Sequence, residues 1–213
     1  MSKPTALITG FGPFPGVPRN ASALLVPRLA SVARREFPGW RIATAILPTE
    51  WRRAPSELAR HHARAKPAWA IHFGVSREAR GFVMETTGRN VCRDAADAAG
   101  EQPGSLCLQP DGPALRSASL PLRAIRERLD RRGLPTASSD DAGGYLCNAV
   151  LYHSLGQAEA APRPARRSRS SRRTCSASGC PSSATGCAPP ARCSRSRGAS
   201  ATTRRRGRCT RWR

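Results

Sequence analysis

The first 159 residues predict an α/β layered domain, on three observations. Short apolar runs suited to buried strands alternate with segments whose apolar residues recur at helical spacing. Glycine-rich loops follow the strand-like runs, where a doubly wound sheet places its sites. A chain of 213 residues is also long enough for one such core.

The elements follow in order. Thr5-Ala6-Leu7-Ile8-Thr9 reads as a buried first strand that runs into the rigid loop Gly10-Phe11-Gly12-Pro13-Phe14-Pro15-Gly16. Asn20 is placed to cap a helix with Leu25, Leu29 and Val32 as its apolar stripe, and Pro27 falls near the first turns, where proline is least disruptive. Arg41 to Leu47 reads as a second strand, Trp51 to Ala65 as a helix ending before Pro67, and Ala68 to Gly74 as a third strand with its exit. Residues 75–118 have weak periodicity and many small or polar groups, which predicts a long excursion with short strands. Pro121 opens a helix with Leu122, Ile125 and Leu129 on one face, closed by Arg132-Gly133. Thr136 to Ser139 makes a last short strand leading to Gly143-Gly144-Tyr145-Leu146-Cys147 and another helix. The loops at 10–16, 74–85 and 140–147 are expected to face one another.

Charge and composition divide the chain. The net charge of +22 suggests a nucleic-acid binder, yet residues 1–160 carry 21 basic and 14 acidic side chains, while residues 161–213 carry 15 arginines and no acid. From Ala160 onward only Ala, Pro, Arg, Ser, Thr, Gly, Cys and Trp occur. All eight have codons with G or C in the middle position, which is what a GC-rich gene yields when read one base out of phase. We expect a frame slip near Glu159, with residues 1–159 the folded domain and 160–213 a disordered basic tail. The rival reading is an arginine/serine-rich arm that contacts phosphate backbones non-specifically. The tail cysteines show no C-x-x-C and no histidine, so accidental thiols are expected there and no metal site. No secretory signal and no membrane-length apolar run are seen, so the cytoplasm is the expected location. Three scattered cysteines in the first part fit a reducing compartment.

Cys147 is the leading candidate nucleophile. At a loop-to-helix junction, unpaired N–H groups and the helix dipole favour thiolate, although a lone cysteine is more often a small buried hydrophobe. Glu85 ends the apolar run Phe82-Val83-Met84 in the expected site loop, where it is either a solvated carboxylate or the group that orients an imidazole. Phe11 and Phe14 flank a proline and offer either loop packing or an apolar slot for a flat neutral ring. None of the four histidines is a convincing base. His61 and His62 are expected to face water, His72 to be a satisfied core group, and His153 to lie well round the helix from Cys147. Gly10-x-Gly12 lacks the spacing of a dinucleotide fingerprint, and no cofactor is expected.

Several motifs together resemble the pyroglutamyl peptidase type I family, the cysteine pyrrolidone-carboxylate peptidases. They are Ile8-Thr9-Gly10-Phe11-Gly12-Pro13-Phe14 with Asn20 and Ser22, then Gly74, Glu85 and Asn90, then Gly143-Gly144-Tyr145-Leu146-Cys147-Asn148. The resemblance spans about residues 4–158. It implies a three-layer α/β sandwich around a twisted mixed sheet, here incomplete toward its C-terminal side, and in intact relatives a homo-oligomer, often a tetramer. It implies Cys147 as nucleophile, Glu85 as the acidic triad member, and Phe11, Phe14 and Tyr145 as the lining of a pyrrolidone pocket. The implied substrates are peptides with an N-terminal pyroglutamyl group, cleaved without metal or cofactor through an acyl-enzyme. Three departures stand out. Ala96 replaces the family's usual arginine, Glu85-Thr86 replaces its Glu-Arg pair, and the stretch where the family places its histidine falls in the eight-letter tail, which has none.

Overall fold

The computed structural model describes residues 2–76 and 78–160. The expectations for residues 161–213, namely the frame slip, the disordered basic tail, its phosphate contacts and its thiols, lie outside the described residues.

The elements run β1 (Thr5–Phe11), α1 (Ala21–Glu36), β2 (Arg41–Leu47), α2 (Arg53–Ala65), β3 (Trp69–His72), β4 (Phe82–Glu85), β5 (Thr87–Arg89), β6 (Leu115–Ser117), α3 (Leu122–Asp130), β7 (Thr136–Ser139) and α4 (Leu146–Ala160). Strands β2, β1 and β3 form a parallel sheet in that order, with β1 central. Strand β4 pairs parallel with β7, and β5 pairs antiparallel with β6. The α/β class and the mix of strand directions are as expected. Among the described residues the strands are shared among three sheets.

Every residue of β1 is buried, because helices cover both faces of its sheet. Ala6 and Ile8 pack with Val26, Ala30 and Ile42, so α1 covers one face. Phe11, Ala45 and Leu47 pack with Ala54, Leu58, Ala149 and Val150, so α2 and α4 cover the other. That is the three-layer arrangement. Edge strand β2 buries Ile42 against the α1 side and Ala45 and Leu47 against the α2 and α4 side, with exposed residues between them.

Helix α1 shows where helical spacing alone misleads. Its buried positions are Ser22, Val26 and Ala30, one step away from the expected stripe, and Val32 is exposed. Small residues take the contact line because Gly10 of β1 approaches closely; a Cβ at Gly10 would lie 2.8 Å from the Ser22 carbonyl oxygen. Asn20 caps the helix as expected, its Oδ1 accepting from the Ser22 N–H at 3.0 Å. Pro27 lies inside the helix rather than near its start, with its ring on the exposed side. Helix α3 has no buried residue; Leu122, Ile125 and Leu129 are only half-buried, and Phe82 and Val83 of β4 are exposed.

Candidate active site

The end of β1, the exit of β3, the end of β4 and the start of α4 after the β7 loop come together: Gly74 lies against Cys147 and Phe11, and Glu85 acts on the thiol. Cys147 is the second residue of α4 and is half-buried. Its approach is built by Asp141, whose Oδ1 accepts from the Gly143 N–H at 2.9 Å, and by Gly143 itself, whose φ of 74° is costly for any side chain larger than hydrogen. Gly74, just past β3, lies against the thiol; a Cβ there would fall 2.7 Å from Sγ and 3.9 Å from Phe11 Cδ2.

One residue beyond the thiol, fully buried Asn148 locks α4 to the segment after β5. Its Oδ1 accepts from the Arg89 N–H, and its Nδ2 donates to the carbonyls of Arg89 and Val91, each at 2.8 Å. Asn90 holds the same segment from the other side through Gln109 and Gly112. The thiol helix is thereby fixed to the end of β5, four residues along the chain from Glu85.

The electrostatics run against the sequence expectation for the nucleophile. The Cys147 thiol is pushed up to about 11, first by burial and then by the negative charge of Glu85. Its backbone N–H favours thiolate but is outweighed. The helix start favours thiolate, but burial and the Glu85 carboxylate weigh more here. Glu85 Oε2 is buried without a hydrogen-bond partner among the described residues. Such an oxygen is expensive to leave unpaired.

The aromatic candidates divide. Phe11 is buried at 4 % exposure in the core that Cys147 and Tyr145 pack against. Tyr145 meets Trp51 edge-on at 5.2 Å and donates its hydroxyl to the Ala96 carbonyl at 3.0 Å. Phe14 is half-buried and lines a neighbouring cavity of about 440 Å³ with Gly12, Pro48, Thr49, Glu50 and Ala98. Sequence reasoning missed Asp97, which is buried and accepts from the backbone N–H groups of Trp51, Ala99 and Glu101, so it fixes the backbone of the residue whose indole Tyr145 rests on. The signal was present in Asp97-Ala98-Ala99-Gly100, an acid three residues before a glycine.

No histidine is among the groups acting on the thiol. His72 is the satisfied group expected: one ring nitrogen meets Thr9 Oγ1 at 2.7 Å and the other meets Ser154 Oγ at 2.8 Å. Enclosure of its ring, with His62 nearby, lowers it to about 3. His62 does not simply face water, since its Nε2 meets Ser154 Oγ at 3.3 Å. His153 packs edge-on to Tyr152, and burial lowers its pKa. Among the described residues no three His, Cys, Asp or Glu side chains gather as metal ligands, and no helix is long and apolar enough to cross a membrane.

A thiol at a helix start, with a buried carboxylate beside it and an aromatic wall, on an α/β sandwich, is the framework of a cysteine hydrolase. Comparison with known proteins narrows the class. The chain belongs to the pyroglutamyl peptidase family, which it matches over residues 5–168. It is 36% identical over 154 residues to the pyrrolidone-carboxylate peptidase of Deinococcus radiodurans, covering 71% of this chain and 69% of that protein. The crystal structure of Bacillus amyloliquefaciens pyroglutamyl peptidase I superposes with a TM-score of 0.68 at 28% identity, over 73% of this chain and 75% of that one. The pyrrolidone carboxyl peptidase of Fervidobacterium islandicum gives a TM-score of 0.69 at 28% identity, over 74% of each chain.

Proposed function

We propose that this chain carries the nucleophile and acyl slot of a peptidase that removes N-terminal pyroglutamate, and that it turns over poorly because it lacks the base. The observation that carries the reading is the pair formed by Cys147 and Glu85. The thiol is held protonated, and the carboxylate oxygen meant for a partner has none among the described residues. An imidazole between the two would answer both. It would donate one N–H to Glu85 and take the Cys147 proton with its other nitrogen. No histidine occurs between residues 154 and 213.

In the intact reaction Cys147 Sγ attacks the carbonyl that links the lactam ring to the next residue. The peptide leaves with a proton on its amine, and water then releases pyroglutamate from the thioester. Phe11 and Tyr145 form the apolar side of the slot, with Phe14 on the neighbouring cavity. No step calls for a metal or cofactor. Residues 1–159 act as the domain, and the eight-letter tail supports a frame slip near residue 159 as the cause of the lost base.

A fluorogenic pyroglutamyl amide tests the reading. Without its base the chain should show kcat/KM at least about 10²-fold below a relative that has one. Turnover at the relative's rate, abolished by alkylating Cys147, would overturn it. The nucleotide sequence across codons 150–213 offers a second arm: the frame-slip account requires a histidine-bearing strand in a neighbouring frame.

A further inference from the structure

The amino ends of β1 and β2 border an open groove of about 650 Å³ lined by Lys3, Arg34, Arg41 and Lys66 and by no carboxylate. It lies at the opposite end of the sheet from Cys147. Strand β1 alone spans about 20 Å between the two, at the usual rise per residue.

The four cations are positioned rather than scattered. Lys3 Nζ donates to the Pro38 carbonyl at 2.8 Å, and Arg34 Nη2 donates to the Ile42 carbonyl at 3.3 Å. Arg41 is tied twice, from Nε to Thr5 Oγ1 at 2.9 Å and from Nη2 to the Ala65 carbonyl at 3.3 Å. Lys66 caps α2 with a φ of 43°, the one positive value among described non-glycine residues, where glycine is the usual choice. None of the four takes part in an ion pair with a described residue. Neutral acceptors therefore hold the guanidinium groups and leave further N–H donors for a ligand. Trp40 supplies an aromatic wall, braced by Trp69 at 5.9 Å between ring centroids.

Four cations around one opening repel one another, and a polyanion relieves that repulsion with charge-assisted hydrogen bonds. The volume suits a small organic molecule, and an indole face suits a flat ring. We infer that this groove binds an organic phosphate that carries a ring, its phosphates held by Arg34, Arg41, Lys3 and Lys66 and its ring against Trp40. The site is separate from the peptidase centre and does not depend on the reading of Cys147.

The test uses the full chain with ATP, inorganic pyrophosphate and adenosine as probes. Calorimetry should show saturable ATP binding that weakens about tenfold or more in the Lys3→Glu/Lys66→Glu double variant, where repulsion replaces two phosphate contacts. Both side chains are exposed, and an unchanged urea midpoint confirms that the fold is intact. ATP should also quench tryptophan emission in the native chain and not in Trp40→Phe. An ATP isotherm unchanged in the double variant would assign the binding to the arginine-rich tail and overturn the inference. Adenosine binding as tightly as ATP would overturn the phosphate contacts. Pyrophosphate matching ATP, with no tryptophan quenching by either, would overturn the ring contact.

Discussion

Gly74 owes its place to the thiol of Cys147. A single added methyl would fall 2.7 Å from Sγ, inside any normal contact distance. The sulfur cannot retreat freely, because Phe11 and the first turn of α4 enclose it. Gly74→Ala is expected to displace the thiol and to cost about 1–3 kcal/mol by overpacking. Urea unfolding measures the cost, and the rate of Cys147 alkylation measures the displacement. A variant that matches the native chain in both would show that the loop after β3 yields easily.

The raised thiol gives a pH profile. With its pKa at about 11, Cys147 should react with iodoacetamide at a rate that climbs steadily through pH 7 to 10 with no plateau. Glu85→Gln removes the second of the two causes and leaves burial in place. Alkylation at pH 8 should then quicken by about three- to tenfold, the gain in thiolate that a modest fall in pKa produces. Mass spectrometry of the peptide containing Cys147 separates it from the other thiols. A plateau near pH 7 in the native chain would refute this account of the nucleophile.

His72 links stability to acid. Its folded value of about 3 lies below the ordinary 6.5, so as pH falls the unfolded chain takes up the proton first. Stability is therefore full above pH 6.5 and declines from there toward pH 3, by up to about 1.4 kcal/mol per pH unit for this group. His62 and His153 are lowered as well and act with the same sign. His72→Gln should flatten the dependence of the urea midpoint on pH between 6 and 4. An equally steep fall in the variant would place the linkage elsewhere.

Asn148 makes three buried hydrogen bonds to the segment at 89–91. Asn148→Ala leaves one N–H and two carbonyls without that partner, for an expected loss of about 3 kcal/mol. Asn148→Asp should fare no better, since its carboxylate cannot donate to the two carbonyls. Denaturant unfolding of the two variants checks both statements.

Much of the fold was legible in the sequence. Residues 41–47 and 136–139 carry strand patterns that match their elements to the residue, and Asn20 caps α1 as its type and position suggest. The α1 contact face was not legible, because Gly10 selects small Ser22 over bulky leucines, and that depends on how closely strand and helix approach. The short strands at 82–89 were expected only as strands of unspecified position within the 75–118 excursion. Their pairing with residues 115–117 and 136–139 is long-range, and no local pattern encodes it.

At the site, the glycines and helix start made Cys147 a candidate, while Glu85 was singled out as the acidic triad member only by the family resemblance. The direction of the thiol's pKa was not readable. It depends on burial and on a carboxylate 62 positions away in the chain, whereas the local helix start argues the other way. Asp97 escaped because its task is to seat Trp51, a contact 46 positions distant.

The division of the strands has a consequence for how this molecule can change. Cys147 rides on a helix packed against the β2-β1-β3 sheet, while Glu85 ends a strand of the β4-β7 sheet. No ladder of backbone hydrogen bonds joins the two sheets among the described residues. Side-chain clamps such as Asn148, which ties α4 to the end of β5, therefore hold the helix of the thiol to the strands that follow Glu85. Substitutions at those clamps can shift the sulfur relative to the acid while each sheet keeps its own ladder, at the stability cost expected for Asn148.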